Sequence, residues 1–170
     1  MLVIGDTIID EYHYCSPMGR SPKDGIVASR YLREETFAGG VLACANHLAG
    51  FSQNVHLFTC LGKQNSYDSF ITEHLKPNVT PIFFHRDDAP TIVKRRYVWD
   101  PFMTKLFEIV FIEDRPLRRA MEIKMLRTLN KIIGNYDLVL VADYGHGFLT
   151  PALINLICEK AKFLAVNVYK

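Results

Sequence analysis

The chain has no Cys-x-x-Cys pair: its 4 cysteines, Cys15, Cys44, Cys60 and Cys158, stand far apart. Such spacing gives neither the ligand pattern of a zinc site nor a disulfide framework, and it fits free thiols in a reducing compartment. No apolar run approaches the roughly 18 residues that mark a membrane span, so no membrane partner is expected. The opening residues, Met-Leu-Val-Ile-Gly-Asp, lack the basic region and cleavage pattern of a secretory signal. The expected location is therefore the cytoplasm, and the glycosylation triplet Asn78-Val79-Thr80 carries no weight. An excess of charge of one sign is also missing. The net charge of +2 is too small to argue for nucleic acid. No Gly-x-Gly-x-x-Gly follows the first apolar run, which counts against a Rossmann oxidoreductase.

What is present is the balance of a globular domain. The 170 residues are 49% apolar and 22% charged, enough for one domain with a sizeable core. The most informative stretch is Leu138–Pro151. Its run Leu138–Ala142 suits a strand buried on both faces. Asp143 ends the run, Gly145 and Gly147 follow, and Thr150-Pro151 can cap and start a helix. A strand, an acid, a glycine loop and a helix start mark the place where open α/β sheets bind ligands. There Asp143 either holds a metal–phosphate group beside an anion-attracting helix end or simply ends a strand.

From the start, Leu2–Ile4 reads as a core strand closed by Gly5-Asp6, with Ile8-Ile9 continuing apolar. Asp6 and Asp10 then lie near the end of that strand, as acceptors for ligand hydroxyls or as a turn residue and a cap. Ser16–Gly19 and Ser21–Gly25 predict turns. Ile26–Arg33 reads as a flap strand, wet on one side. The pair Gly39-Gly40 opens a helix with Val41, Leu42, Ala45 and Leu48 at helical spacing, stopped by Gly50. Strands are expected over Asn54–Thr59 and Val79–Phe84, with a short helix over Asp68–Leu75 between them. Thr91–Val98 and Leu106–Ile112 are β-prone and could pair with Ile26–Arg33 in a small second sheet. Lys94 and Arg96, two apart, share one strand face. That face serves a phosphorylated or hydroxylated ligand, or is only solvated. Asp114 and Pro116 suit a helix start, and Met121, Met125, Leu129 and Ile132 form its core stripe. Strands over Asp137–Ala142 and Phe163–Val168 flank a helix over Pro151–Lys160. This alternation predicts an α/β fold with a mainly parallel sheet covered on both faces.

Four features occur in one order over nearly the whole chain: Gly5-Asp6 with Asp10, the Gly39-Gly40 helix start, basic Lys94–Arg96, and Asp143-Tyr144-Gly145-His146-Gly147. In this the chain resembles the N-terminal part of the PfkB/ribokinase family of sugar kinases. It is most similar to the heptose-phosphate kinase branch, where an Asp-Tyr-Gly-x-Gly loop recurs and where Arg20-Ser21-Pro22 also finds a counterpart. The resemblance implies a ribokinase-like three-layer α/β core, incomplete at its C-terminal side, within a partial domain over 1–170. It also implies a small β lid from about 11–37 and 88–113, which often makes a homodimer contact.

The implied activity is transfer of the ATP γ-phosphoryl group, with Mg2+, to a hydroxyl of a sugar or sugar phosphate, heptose phosphate among them. By the same resemblance, Asp10 holds sugar hydroxyls, Gly39 and Gly40 offer backbone amides, and Asn46 lies nearby. Lys94 and Arg96 reach the substrate from the lid. Asp143 sits beside the magnesium–ATP phosphates and Asn167 near the nucleotide phosphates. The chain departs from the branch at Ala43, where Asn is usual, and at His146, where Lys is usual. The family's catalytic base lies in a downstream Gly-Ala-Gly-Asp motif that is not found here. The expectation is thus a sugar-binding front part, inactive by itself. The alternative is a non-catalytic sugar-binding or dimerisation module derived from a sugar kinase.

Overall fold

A computed structural model describes residues 1–113 and 115–169. Five short apolar segments form one parallel sheet. They are β1 (Leu2–Gly5), β4 (Val55–Gly62), β5 (Val79–Arg86), β8 (Val139–Asp143) and β9 (Leu164–Val168), in the spatial order β5-β4-β1-β8-β9. β1 lies in the middle and is buried throughout, which accounts for its unbroken apolar sequence. Successive side chains point to opposite faces. Leu2 and Ile4 join Phe58, Met125, Leu129, Leu153 and Ile157 on one face, against helices α3 (Arg119–Ile132) and α4 (Pro151–Lys160). Val3 joins Leu57, Val41, Leu42 and Ile71 on the other, against α1 (Val41–Leu48) and α2 (Asp68–His74). The result is the expected three-layer α/β arrangement with a mainly parallel sheet. The Thr150 hydroxyl caps α4 by accepting from the Leu153 amide at 3.3 Å, with Pro151 in the first turn. The expected helix cap at Asp114 lies outside the described residues. α3 itself begins later, at Arg119.

A second sheet has the order β3-β2-β6-β7, built from β2 (Thr7–Arg20), β3 (Val27–Gly40), β6 (Ile92–Trp99) and β7 (Thr104–Phe111). Three expectations need correcting. Ile8-Ile9 do not extend the first core strand: the chain leaves the parallel sheet at Asp6, and Thr7 begins pairing with Gly40 in the second sheet. The basic segment β6 does not pair with Ile26–Arg33 either. β2 lies between, parallel to β6 and antiparallel to β3. From sequence, Ser16–Gly19 should turn, yet it is strand, with register shifts at Tyr14/Cys15 and Pro17/Gly19. β6 stops pairing at Cys15, so beyond it β2 has one free edge, where a proline lacking an N–H is tolerated. The turn itself is confined to Ser21–Ile26, closed by the Ser21 amide donating to the Ile26 carbonyl at 2.8 Å. Ile9 and Val93 anchor the base of this sheet in the core.

Candidate functional site

The two sheets meet where β1 ends. Asp6, the single residue between β1 and β2, is only 3% exposed. Its carboxylate accepts from the Tyr144 amide at 3.1 Å, and its carbonyl accepts from the Val41 amide at 3.0 Å. One residue thus fixes both the start of α1 and the loop after β8. Burial pushes its carboxyl up to about 6; the Tyr144 amide and the nearby His146 pull it down, and Asp143 adds to the rise.

Four residues further on, Asp10 stands on β2 in register with Lys94 of β6 and Phe37 of β3. Arg96 donates from Nη1 to Asp10, and its Nε forms an ion pair with Glu108 of β7 at 2.7 Å. Its guanidinium also lies 5.4 Å from the centre of the Tyr12 ring. Lys94 makes no ion pair among the described residues. The strand period separates the basic trio: Arg95 faces the other way, where its Nε donates to Glu11 at 2.6 Å.

The glycine pair has an internal reason. A Cβ on Gly39 would fall 1.9 Å from an Asp10 carboxylate oxygen, and one on Gly40 would fall 2.6 Å from the Asp6 carbonyl. Gly40 also has φ +57°, a conformation that side chains rarely adopt.

These elements surround an open cleft of about 580 Å³ lined by Ile8, Asp10, Gly40, Lys94, Arg96, Tyr144 and Tyr169. Of the residues expected at the site, Asp10, Gly40, Lys94 and Arg96 line the cleft, and Gly39 lies against Asp10. Asp143 is next to it in sequence through Tyr144, and its carboxylate accepts from the Gly145 amide at 2.9 Å. Asn167 is exposed on β9, in register with Ala142, and is not among the cleft's lining residues. Asn46 is not brought there either, against expectation. Its carboxamide donates to the His74 carbonyl at 2.8 Å and accepts from the Lys76 amide at 2.9 Å, joining α1 to the end of α2. Tyr144 and Glu108 were not expected at all. The Tyr144 hydroxyl lies 3.9 Å from Cys44 Sγ, and burial together with Cys44 pushes it up to about 12. Glu108 would have emerged from drawing the antiparallel register of β6 and β7, which sets it opposite Arg96.

No group of three or more His, Cys, Asp or Glu able to hold a metal occurs among the described residues. No helix among them is long and apolar enough to cross a membrane.

This is the ribokinase-like fold of PfkB-type sugar kinases: a parallel α/β core whose strand ends meet a small β sheet. Phosphofructokinase-2 from Escherichia coli, solved with fructose-6-phosphate, matches with a TM-score of 0.67 at 12% identity, over 100% of this chain and 55% of that one. A pyrophosphate-dependent kinase in the ribokinase family, complexed with a pyrophosphate analog and myo-inositol, matches with a TM-score of 0.56 at 17% identity, over 98% of this chain and 48% of that one. Among sequences, the Bifunctional protein HldE of Campylobacter jejuni is 24% identical over 169 residues, 99% of this chain and 34% of that protein. The chain thus spans about a third of the length of the curated relatives it matches. No protein-family model matches it. The resemblance seen in the ordered motifs, to PfkB/ribokinase sugar kinases on the heptose-kinase side, is the one these comparisons return.

Proposed function

We propose that the chain is the sugar-binding front part of a carbohydrate kinase, which moves the ATP γ-phosphoryl group to a hydroxyl of a sugar or sugar phosphate. The observation that carries this reading is the convergence of Asp10, Gly40, Lys94 and Arg96 on one cleft beside the Asp143 loop. Phosphoryl transfer depends on positioning and charge compensation more than on covalent chemistry by the protein. Asp10, an acceptor-only group when ionised, takes hydrogen bonds from sugar hydroxyls. Lys94 supplies a mobile cation, and the N-terminal amides of α1 add a partial positive charge.

Bound MgATP supplies the phosphoryl group and the metal charge that offsets it. Mg2+ commonly uses one or two carboxylates plus phosphate oxygens and water, and Asp143 with its glycine loop fits that role without a protein cage. Asn167 is assigned to the nucleotide side.

Titration calorimetry with sugars and sugar phosphates tests the reading. Asp10→Ala removes an ionised acceptor, and such hydrogen bonds contribute about 1.5–3 kcal/mol each. Its affinity should therefore fall by roughly ten- to hundredfold. Lys94→Ala should lower it as well. Unchanged affinity in both variants would remove the cleft from consideration.

The second sheet is further proposed to make a homodimer contact. Val27, Tyr31, Leu32, Phe107, Ile109 and Phe111 are large apolar side chains exposed on its strands, and apolar surface concentrated in this way marks interaction sites. Sedimentation equilibrium should show a dimer that Phe107→Glu weakens; a wild-type monomer at high micromolar concentration would refute it.

A further inference from the structure

We propose that the cleft accepts an unphosphorylated sugar or polyol, and that Glu108 is the residue that sets this preference; the proposal rests on the sugar-kinase reading and narrows it. The charges on the cleft's second-sheet side cancel. Lys94 and Arg96 contribute two positive charges, and Asp10 and Glu108 two negative ones. On the side of the parallel sheet, two carboxylates, Asp6 and Asp143, stand beside His146 of the same loop. Asp6 bonds the Tyr144 amide and Asp143 precedes that residue. The N-terminus of α1 adds about half a positive charge. A phosphate monoester brings a charge of about −1.5 to −2 near neutral pH, and among the described residues it would meet no surplus of Lys or Arg over Asp and Glu.

The state of Arg96 sharpens this. Planar, bidentate grip on a phosphate needs two neighbouring guanidinium nitrogens. Arg96 has three nitrogens: Nη1 donates to Asp10, and Nε is ion-paired with Glu108 at 2.7 Å. Each of its two forks therefore shares a nitrogen with a carboxylate. A phosphate can take Arg96 only by displacing one of these, which leaves an unpaired carboxylate beside an incoming dianion. A neutral hydroxyl has no such conflict: Asp10 keeps Arg96 and still has lone pairs to offer. Lys94, the one cleft cation without an ion pair among the described residues, is a point charge and satisfies a hydroxyl oxygen equally well. Glu108 touches Arg96 from the strand beyond it, so it acts on the ligand through Arg96 as a positioning residue.

The test is calorimetry at fixed ionic strength with D-fructose, D-mannose and an aldoheptose, each beside its terminal phosphate ester. The wild-type protein should bind the free sugar at least tenfold more tightly than its phosphate. Glu108→Gln keeps the shape and removes the charge; it should tighten phosphate binding by about tenfold and leave free-sugar binding within about twofold. A residue that merely held the strand in place would shift both ligands together. Phosphates that bind more tightly to the wild type, or a ratio unmoved by both Glu108→Gln and Glu108→Ala, would overturn the proposal while leaving the sugar-kinase reading standing. If neither member of any pair binds, both fall.

Discussion

Gly40→Ala is expected to destabilise the fold by about 3 kcal/mol or more, because two independent costs fall on one methyl group. The first is conformational. Gly40 has φ +57° and ψ −132°, a region essentially restricted to glycine. The second is steric. The new Cβ would meet the Asp6 carbonyl at 2.6 Å and Ile8 Cγ1 and N at 3.0 and 3.1 Å. The first and last of these contacts are backbone and cannot swing aside. That carbonyl also accepts the Val41 amide that begins α1, so relief of the clash would cost the helix its first tie to β1. Domains of this size have about 5–15 kcal/mol of total stability, so the loss should be plain in a urea titration. Gly134→Ala is the control: nothing lies within 4 Å of its Cβ and its φ is not positive. It should stay within about 1 kcal/mol of the wild type. A Gly40→Ala midpoint equally close to the wild type would show that the β3–α1 junction is more plastic than its geometry implies.

The same junction shows what sequence could and could not give. Buried parallel strands betray themselves as short apolar runs, so β1, β4, β5 and β8 were legible to within a few residues. The Gly39-Gly40 helix start was legible too, although its immediate cause is chain meeting chain at Asp10 and Asp6. β2 was not legible beyond Ile9. Its stretch Glu11-Tyr12-His13-Tyr14 serves two faces with polar needs: Asp10 and Tyr12 turn toward Arg96, while Glu11 turns toward Arg95. No apolar alternation survives such a division, and Pro17 and Gly19 then look like a turn. Lys94 and Arg96 sharing a face followed from strand period alone. That Arg96 is held between two carboxylates did not, because Glu108 reaches it across a hairpin whose register is set by the turn at Asp100–Phe102 and Met103. Asn46 failed for the same kind of reason. A helix position near a glycine pair does not reveal that the opposite side of the helix faces the end of α2.

Asp6→Asn should make the protein more stable at pH 8 and flatten its stability between about pH 4 and pH 6. The carboxyl is raised from 3.8 to about 6, chiefly by burial. The folded state therefore holds this proton more tightly than the unfolded chain. For a raised carboxyl, the favourable contribution is present below the unfolded value, fades as pH rises toward 6, and is gone above it. The difference, 6 − 3.8, is about 2 units, and each unit is worth about 1.4 kcal/mol, so the ionised carboxylate costs on the order of 3 kcal/mol at neutral pH. Asparagine carries no charge at any of these pH values, and its carbonyl can still accept the Tyr144 amide. Against this gain stands the new amide NH2, whose loss of water costs about 1–3 kcal/mol if it finds no acceptor. Urea titrations at pH 4.5, 5.5, 7 and 8 separate the two contributions: the charge term changes with pH and the amide term does not. A variant less stable than the wild type at pH 8, with the same drift below pH 6, would mean that the amide contacts outweigh burial at this position. A carboxylate kept at such a cost fits a functional site better than a structural one. Asp6 holds the backbone of Tyr144 at the rim of the cleft and adjoins Asp143. Under the proposed function, the stabilised variant should bind the sugar more weakly, because the loop beside the cleft loses its charged tether.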